Sequence, residues 1–470
     1  MRRKGSVRSI VLLIAVLTLS TPFLHAQFEF RTGVPIAGEP YHIAFGDFTG
    51  DGKQDAAVTL YGSNSVAVLL GNGDGTFKAP TVYSVGVNPE FISAADLRQK
   101  GILDLVVSTL PEGFSVLLGR GDGTFSSAQP FSLPGSVYFL ATADFNNDGF
   151  PDIYASVDSV SCACISVLLG NGDGTFRPPI NTQLPMPTYV AAAGHFTTSG
   201  NMDVVAGETT GGSDSIQMLL GNGDGTFRLG ASYSTSSSPN DMAIADFNND
   251  QNMDVAVDLP LSGQVTIFLG NGEGTLQQRS IVPASFPAVI QSADFNHDGN
   301  TDFVITTGLY SNIASVFLGN GDGTFRSFTN FQAGGGAGSF PTDMNGDGLI
   351  DLVVANYFGN AVVTHLNTGV VSFSPSTPLT FKTQKVGTTS QPQVVTLTNT
   401  GTATLNIGSM KVTGQFGMKT SCRAKVQAGG SCKISATFSP QSKGTHSGTV
   451  TLQDSASSKP QVIALSGVGD

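Results

Sequence analysis

The run Asp144-Phe-Asn146-Asn-Asp148-Gly149-Phe-Pro-Asp152 sets oxygen-bearing side chains at positions 1, 3, 5 and 9 around a glycine. A tight loop of that kind can turn several hard oxygens toward one point, and Ca²⁺ takes six to eight such ligands. The same spacing recurs at Asp294, Asn296, Asp298 and Asp302 and at Asp343, Asn345, Asp347 and Asp351. Asp246, Asn248, Asp250 and Asp254 repeat it with Gln251 in the glycine place, and Asp47, Asp51 and Asp55 repeat it with Thr49 at position 3. Carboxylates packed this closely repel one another without a cation. The expectation is therefore calcium at about five loops. Two further copies are expected not to bind: one, from Asp96 to Asp104, carries Lys100 at position 5, and the other begins at His195 and has Ser199.

A helix-flanked calcium loop would need Glu at position 12, where these copies have Ala155, Val58, Val257, Ile305 and Val354 inside apolar runs. The loops must open between two β-strands. No other chemistry competes with this reading. There is no Gly-x-Ser-x-Gly elbow, the six His are scattered without metal-ligand spacing, and paired carboxylates occur only within the loops. The chain reads as a non-enzyme. Arg120-Gly121-Asp122 falls where the other copies have Asn-Gly-Asp, so it reads as a turn.

The elements that hold the loops form a repeat. An apolar strand ends in Asp-Phe, a turn follows, then Asp and a Val-rich strand; the first positions are Asp47, Asp96, Asp144, His195, Asp246, Asp294 and Asp343, in steps of 49, 48, 51, 51, 48 and 49 residues. A second clause, Leu-Gly-Asn-Gly-Asp-Gly-Thr-Phe, ends at Phe77 and near-identically at Phe125, Phe176, Phe227, Leu276 and Phe325, while the seventh copy, His365 to Phe373, lacks its glycine turn. A period near 50 with four short strands per unit is a propeller period. Glycine at the hairpin supplies the positive φ that a tight turn needs, and the fourth strand is expected to begin at Thr-Phe. The fold class is all-β: a seven-bladed β-propeller over residues 27–370, then an immunoglobulin-like β-sandwich over 371–470. The N-terminal segment Phe28 to Ile36 aligns with the fourth-strand position, so it is expected to complete blade seven against 361–366; the alternative strand is 369–376.

Arg2, Arg3, Lys4 and Arg8 precede an apolar run from Ile10 to Leu19, and Leu24-His25-Ala26 ends in a small residue. That is the layout of a cleavable signal peptide over residues 1–26; the run is shorter than the ~20 residues a spanning helix needs. The protein is expected to be secreted or displayed on the outer cell surface, with no membrane span after cleavage and as a monomer. The formal charge is −12, and losing the four basic leader residues takes it to −16. That balance argues against nucleic acid, which needs a basic footprint. In an exported chain the four cysteines suggest two disulfides, Cys422 with Cys432 and Cys162 with Cys164, although at the second pair free thiols or a metal stay open.

The two-clause repeat resembles the FG-GAP/VCBS family, which also builds the integrin α-subunit propeller, and the likeness covers about residues 28–370. It implies calcium loops of the integrin type. It also implies partners on the opposite face, in the loops between strands two and three and between blades, where this chain has Tyr61, Asn64, Tyr310, Asn312, Tyr357 and Phe358. The C-terminal run Asn399-Thr-Gly401-Thr-Ala-Thr-Leu405, with Cys422, Gly429-Gly-Ser-Cys432 and Phe438-Ser-Pro440, is similar to immunoglobulin-like domains of the abnormal-spindle/hydin type, which implies spacing or attachment. The expected function is a binding or adhesion module for an extracellular protein or glycan; the alternatives are a carbohydrate-binding lectin or a non-catalytic scaffold of a polysaccharide-processing system.

Overall fold

The Val- and Ala-rich run after each loop Asp is apolar without alternation because both its faces are covered. Asp55–Leu60, Asp203–Glu208, Asp254–Leu259 and Asp302–Thr307 are buried along their whole length, as strands flanked by sheets on both sides must be. The computed structural model describes residues 28–30, 33–110, 113–159, 162–209, 214–285, 287–296, 299–307, 312–326, 329–346, 348–367, 371–374, 379–399, 405–427, 429–454 and 460–470. The leader 1–26, Asp298, Tyr310 and Asp347 lie outside the described residues.

Seven antiparallel sheets follow one another. Their first strands are Pro40–Gly46, Pro89–Ala95, Ser136–Ala143, Thr188–Gly194, Asp241–Ala245, Pro287–Ala293 and Gly336–Thr342, and we number the blades one to seven in that order. Each first strand touches the next, and that of blade seven touches that of blade one, so the ring closes. The cores lie between blades: one cluster joins Ala57, Val66 and Val68 of blade one to Ile92, Leu105 and Val107 of blade two. Among the described residues the only helical elements are the 3-10 turns Tyr61–Ser63 and Pro260–Ser262, and no helix is long and apolar enough to cross a membrane.

One expectation needs correcting. In blades one, two, three and six the phenylalanine of Thr-Phe makes only an isolated bridge, such as Gly71 to Phe77, and the fourth strand begins later, at Thr81–Ser84, Gln129–Phe131, Ile180–Gln183 and Thr329–Gln332. Only Phe227–Ser234 and Leu276–Pro283 run directly from that position. The ring spends that phenylalanine on packing instead. Phe48 and Phe247 meet the Thr-Phe ring of the following blade edge-on, at Phe125 and Phe325, with centroids 5.4 and 5.7 Å apart; Phe227 makes the same contact with Phe145 at 5.5 Å and still opens its strand.

Blade seven is closed by the N-terminal chain. Phe28, Glu29 and Phe30 pair antiparallel with Asn367, Leu366 and His365, and Val34 and Pro35 pair with Val362 and Ala361. Phe28 even takes the missing aromatic place, lying 6.0 Å and edge-on from Phe295 of blade six. The rival strand, Val371–Ser374, pairs elsewhere, with Gln393–Asn399.

That last pairing belongs to a two-sheet sandwich. One sheet orders Val371–Ser374, Gln393–Asn399, Ser431–Phe438 and Phe416–Thr420; the other orders Leu379–Thr380, Gln461–Gly469, Gly444–Asp454, Leu405–Val412 and Lys425–Val426. Their inner faces enclose Val395, Leu397, Ile434, Phe438, Val450 and Leu465. Both cysteine pairs are bonded, Cys162 to Cys164 and Cys422 to Cys432, which settles the open choice at the first pair as a disulfide.

Candidate metal loops and the opposite face

The first carboxylate of a loop is its organiser. Asp47 Oδ2 accepts the Gly52 N–H at 2.7 Å, and the equivalent bonds run from Gly149 to Asp144, Gln251 to Asp246, Gly299 to Asp294 and Gly348 to Asp343 at 2.7–2.9 Å. The donor at position 6 sits at positive φ, 80° for Gly52 and 84° for Gly149, and Gln251 is held there at 70° despite its side chain. The glycine is therefore favoured but not indispensable, since the Asp246 loop keeps the same turn at some strain. Asn146 Nδ2 donates to Asp148 Oδ2 at 2.8 Å and Asn248 Nδ2 to Asp250 Oδ2 at 2.9 Å, which keeps positions 3 and 5 adjacent on the exposed side.

The last carboxylate does a different job from the first. Asp55, Asp104, Asp152, Asp203, Asp254, Asp302 and Asp351 are 0–1 % exposed. Six of them accept, at 2.7–2.8 Å, the N–H of the glycine that opens the second clause: Gly71, Gly119, Gly170, Gly221, Gly270 and Gly319. A Cβ at Gly71 would strike the Gln54 carbonyl, so only glycine lets the hairpin backbone come this near. In blade seven, which has no such glycine, Asn367 donates its N–H to Asp351 at 2.7 Å and its side-chain amide to the Phe295 carbonyl at 2.7 Å. The second bond replaces one that hairpin glycines supply elsewhere, as Gly323 does to Phe247 at 3.0 Å. This rivet between the two clauses was not foreseen; its sign in the sequence was the constant pairing of the last Asp with the Leu-Gly.

What meets the second oxygen of the buried Asp separates the copies. In the five loops with ligand spacing it accepts a backbone N–H, from Phe48, Phe145, Phe247, Phe295 or Met344, at 2.8–2.9 Å. In blade two Arg98 enters instead, with Nε 3.0 Å from Asp104 Oδ2 and a terminal nitrogen 2.6 Å from Oδ1. In blade four a neutral hydroxyl, Thr197 Oγ1, donates to Asp203 Oδ2 at 3.1 Å. Blade two thus carries its own cation beside the buried carboxylate, and blade four has replaced charge with hydroxyls. Around Asp55, Asp152 and Asp254 the charges that add to burial are the other loop carboxylates, with Lys53 lying 3.2 Å from Asp51 in the first loop. Burial, with Asp144 and Asp148 adding to it, pushes Asp152 up to about 6, and burial with Asp250 and Asp246 does the same to Asp254, also to about 6; burial, Asp47 and Asp51 raise Asp55.

Among the described residues no three His, Cys, Asp or Glu side chains converge into a ready-made metal cage. The donor set of positions 1, 3, 5 and 9 nonetheless suits a hard cation: in the loops at Asp47, Asp144 and Asp246 the position-1 carboxylate is half-buried, the position-5 one exposed, and the position-9 one buried and raised in pKa chiefly by that burial. Asp104→Ala is expected to destabilise the fold by ~3–5 kcal/mol, because it strands the 13 % exposed Arg98 side chain without its partner. Urea unfolding checks this, and a loss under ~1 kcal/mol, the size of a surface pair, would refute it.

On the other face, Tyr61 lies in the 3-10 turn between strands two and three of blade one, and Asn64, at φ 55°, caps it. The Asn64 amide oxygen accepts the Asn88 N–H at 2.9 Å, so this residue is tied into the turn. Asn312 likewise lends its carbonyl to the Ala333 N–H at 2.8 Å. Tyr357 donates to Glu39 Oε2 at 2.9 Å, and Phe358, 60 % exposed, packs edge-on against it at 5.2 Å. Tyr41 joins Tyr61 and Tyr357, at 5.8 and 6.3 Å, into an aromatic cluster at the seam of blades one and seven. The structure brings Tyr61, Tyr357 and Phe358 to one seam and leaves Asn312 on the neighbouring blade six.

Models of known families match the chain in two places. The FG-GAP-like repeat matches residues 47–107, 96–155 and 195–257. The family of abnormal spindle-like microcephaly-associated protein, ASPM-SPD-2-Hydin, matches 368–462. No curated protein matches. Among solved structures, the periplasmic gluconolactonase of Pseudomonas aeruginosa is 15% identical with TM-score 0.49, covering 63% of this chain and 86% of its own. The V. cholerae biofilm matrix protein Bap1 is 11% identical with TM-score 0.43, covering 73% and 91%. The ASH/PapD-like domain of human CEP192 is 15% identical with TM-score 0.18, covering 22% and 85%. At these scores no property of the three transfers to this chain.

Proposed function

Because the chain is built of FG-GAP-like repeats and ends in an ASH-type immunoglobulin-like domain, we propose that it is an exported, calcium-stabilised binding module without catalytic activity. Its partner would be an extracellular protein or glycan, met on the face away from the loops. The observation that carries the calcium reading is Arg98. Where one loop has lost its position-3 and position-5 ligands, the chain lays a guanidinium on the buried Asp104, whereas in the five ligand-spaced loops the buried Asp meets only a backbone N–H at that oxygen. Asp47, Asp144, Asp246, Asp294 and Asp343 with their position 3, 5 and 9 partners would hold the ions, whose charge would offset the repulsion within each loop. The two disulfides favour an oxidising compartment, and the leader pattern supplies the route to it.

Elemental analysis and calcium titration of the mature protein test this. About five ions per chain are expected, by the count of loops with ligand spacing. Asp298→Ala should remove one ion and Asp104→Ala none; a protein that binds no calcium, or one whose count falls with Asp104→Ala, would overturn the assignment. Binding of the mature protein to glycan arrays and cell surfaces, with calcium and with chelator, tests the partner.

A further inference from the structure

The first strands of successive blades begin at equivalent positions, and six of them meet around the ring axis at the end away from the metal loops. They enclose a cavity of about 350 Å³. Its wall carries Tyr41, Glu90, Tyr138, Tyr189 and Asp241, each the second or third residue of its blade or the first of its strand, with His42 and Phe91 beside them. Among the described residues no Lys or Arg lines it. Tyr138 and Tyr189 stand edge-on at 4.8 Å on one side, while Tyr41 stands with Glu90 on another.

We propose that this axial cavity binds a small alkylammonium ion, held between the tyrosine faces and the carboxylates of Glu90 and Asp241. Three arguments converge on a cation with an apolar body. Aromatic faces attract ammonium groups, and more strongly when the site is desolvated. Both carboxylates have lost solvent: burial raises Glu90 above its ordinary range and lifts Asp241 to about 7, even though Asp241 accepts the N–H groups of Met242 and Ile290 at 2.9 Å. A bound cation would offset that desolvation by charge, whereas a neutral sugar could offset it only through hydroxyl hydrogen bonds. Finally, burial lowers His42 to about 4, so the ring is uncharged at neutral pH, and its Nδ1 is a buried atom with no hydrogen-bond partner. With the proton on Nε2, that nitrogen is an acceptor for a hydroxyl carried by the cation, such as that of choline.

The site lies within the binding-module reading, yet it does not depend on the metal loops, so calcium content reports separately on the fold. Calorimetric titration of the calcium-loaded full mature chain with choline, with dimethylbutanol as its uncharged isostere, and with glucose is the test. Choline should bind at least tenfold tighter than the isostere, and both Glu90→Gln and Tyr189→Leu should weaken it about tenfold at unchanged calcium content, the scale of one desolvated cation–π or ionic contact. Equal binding of choline and its isostere, preference for glucose, or no choline binding by a protein with its full calcium content would each overturn the proposal.

Discussion

Deleting residues 28–36 is expected to make the protein aggregate and to put its unfolding midpoint far below that of the intact chain. Five residue pairs tie this segment to blade seven. Phe28 stacks on Phe331 at 4.5 Å, and Ile36 is 3 % exposed in the cluster shared by blades one and seven. Burial of two large apolar side chains is worth ~1.5–3 kcal/mol each. With the lost pairing, this approaches the ~5–15 kcal/mol that is the whole stability of a typical domain. The deletion also bares Ala361–Asn367 as an open edge strand, a template for pairing with another chain. Size-exclusion chromatography with a thermal melt checks the outcome; a truncated protein that stays monomeric and melts like the intact one would show that the ring is held shut by its inner strands alone.

Calcium removal is expected to have an effect of similar size. A ligand that binds only the folded state adds RT ln(1 + [L]/Kd), which is ~1.4 kcal/mol per site when calcium is tenfold above Kd. Over about five sites that is on the order of 7 kcal/mol, and extracellular modules bind in the ~10⁻⁴–10⁻³ M range, where millimolar calcium reaches such ratios. Chelator should therefore lower the melting temperature by about ten degrees, since domains larger than 150–250 residues shift by ~2 °C or less per kcal/mol. Magnesium should not restore it, because its near-octahedral, reluctantly dehydrated shell suits a flexible cage of up to eight oxygens poorly. Scanning calorimetry with and without chelator reads the shift, and a melt that does not move would remove the structural role of the ion.

The arrangement of the loops and hairpins was legible because each is a local event. Asp47 organises a turn within five residues of itself, and the Gly-Asn-Gly-Asp-Gly hairpin closes through Thr76 donating to Asp74 two residues away. The period, the blade number and the sandwich rested on repetition of such local signals, and so did the assignment of the N-terminal segment to blade seven, since Phe28 sits where a repeat would have its next aromatic. The start of the fourth strand was misjudged in four blades because there the Phe of Thr-Phe makes only an isolated bridge; at Phe125 and Phe325 its ring packs against the loop Phe of the preceding blade, a contact between residues some 80 apart in sequence.

By itself, then, the sequence determined the all-β class, the sevenfold repeat, the candidate calcium ligands and the order of the two β-units, all properties that turn chemistry and apolar runs encode within a few residues. Only the tertiary structure decided what the buried Asp of each loop holds, because Gly71 reaches Asp55 across a strand pair. It alone showed that Arg98 turns inward to Asp104 instead of outward to solvent. It alone gathered Tyr41, Glu90, Tyr138, Tyr189 and Asp241 around one axis: these residues are spaced a whole blade apart, they share no motif, and closure of the ring is what makes them neighbours.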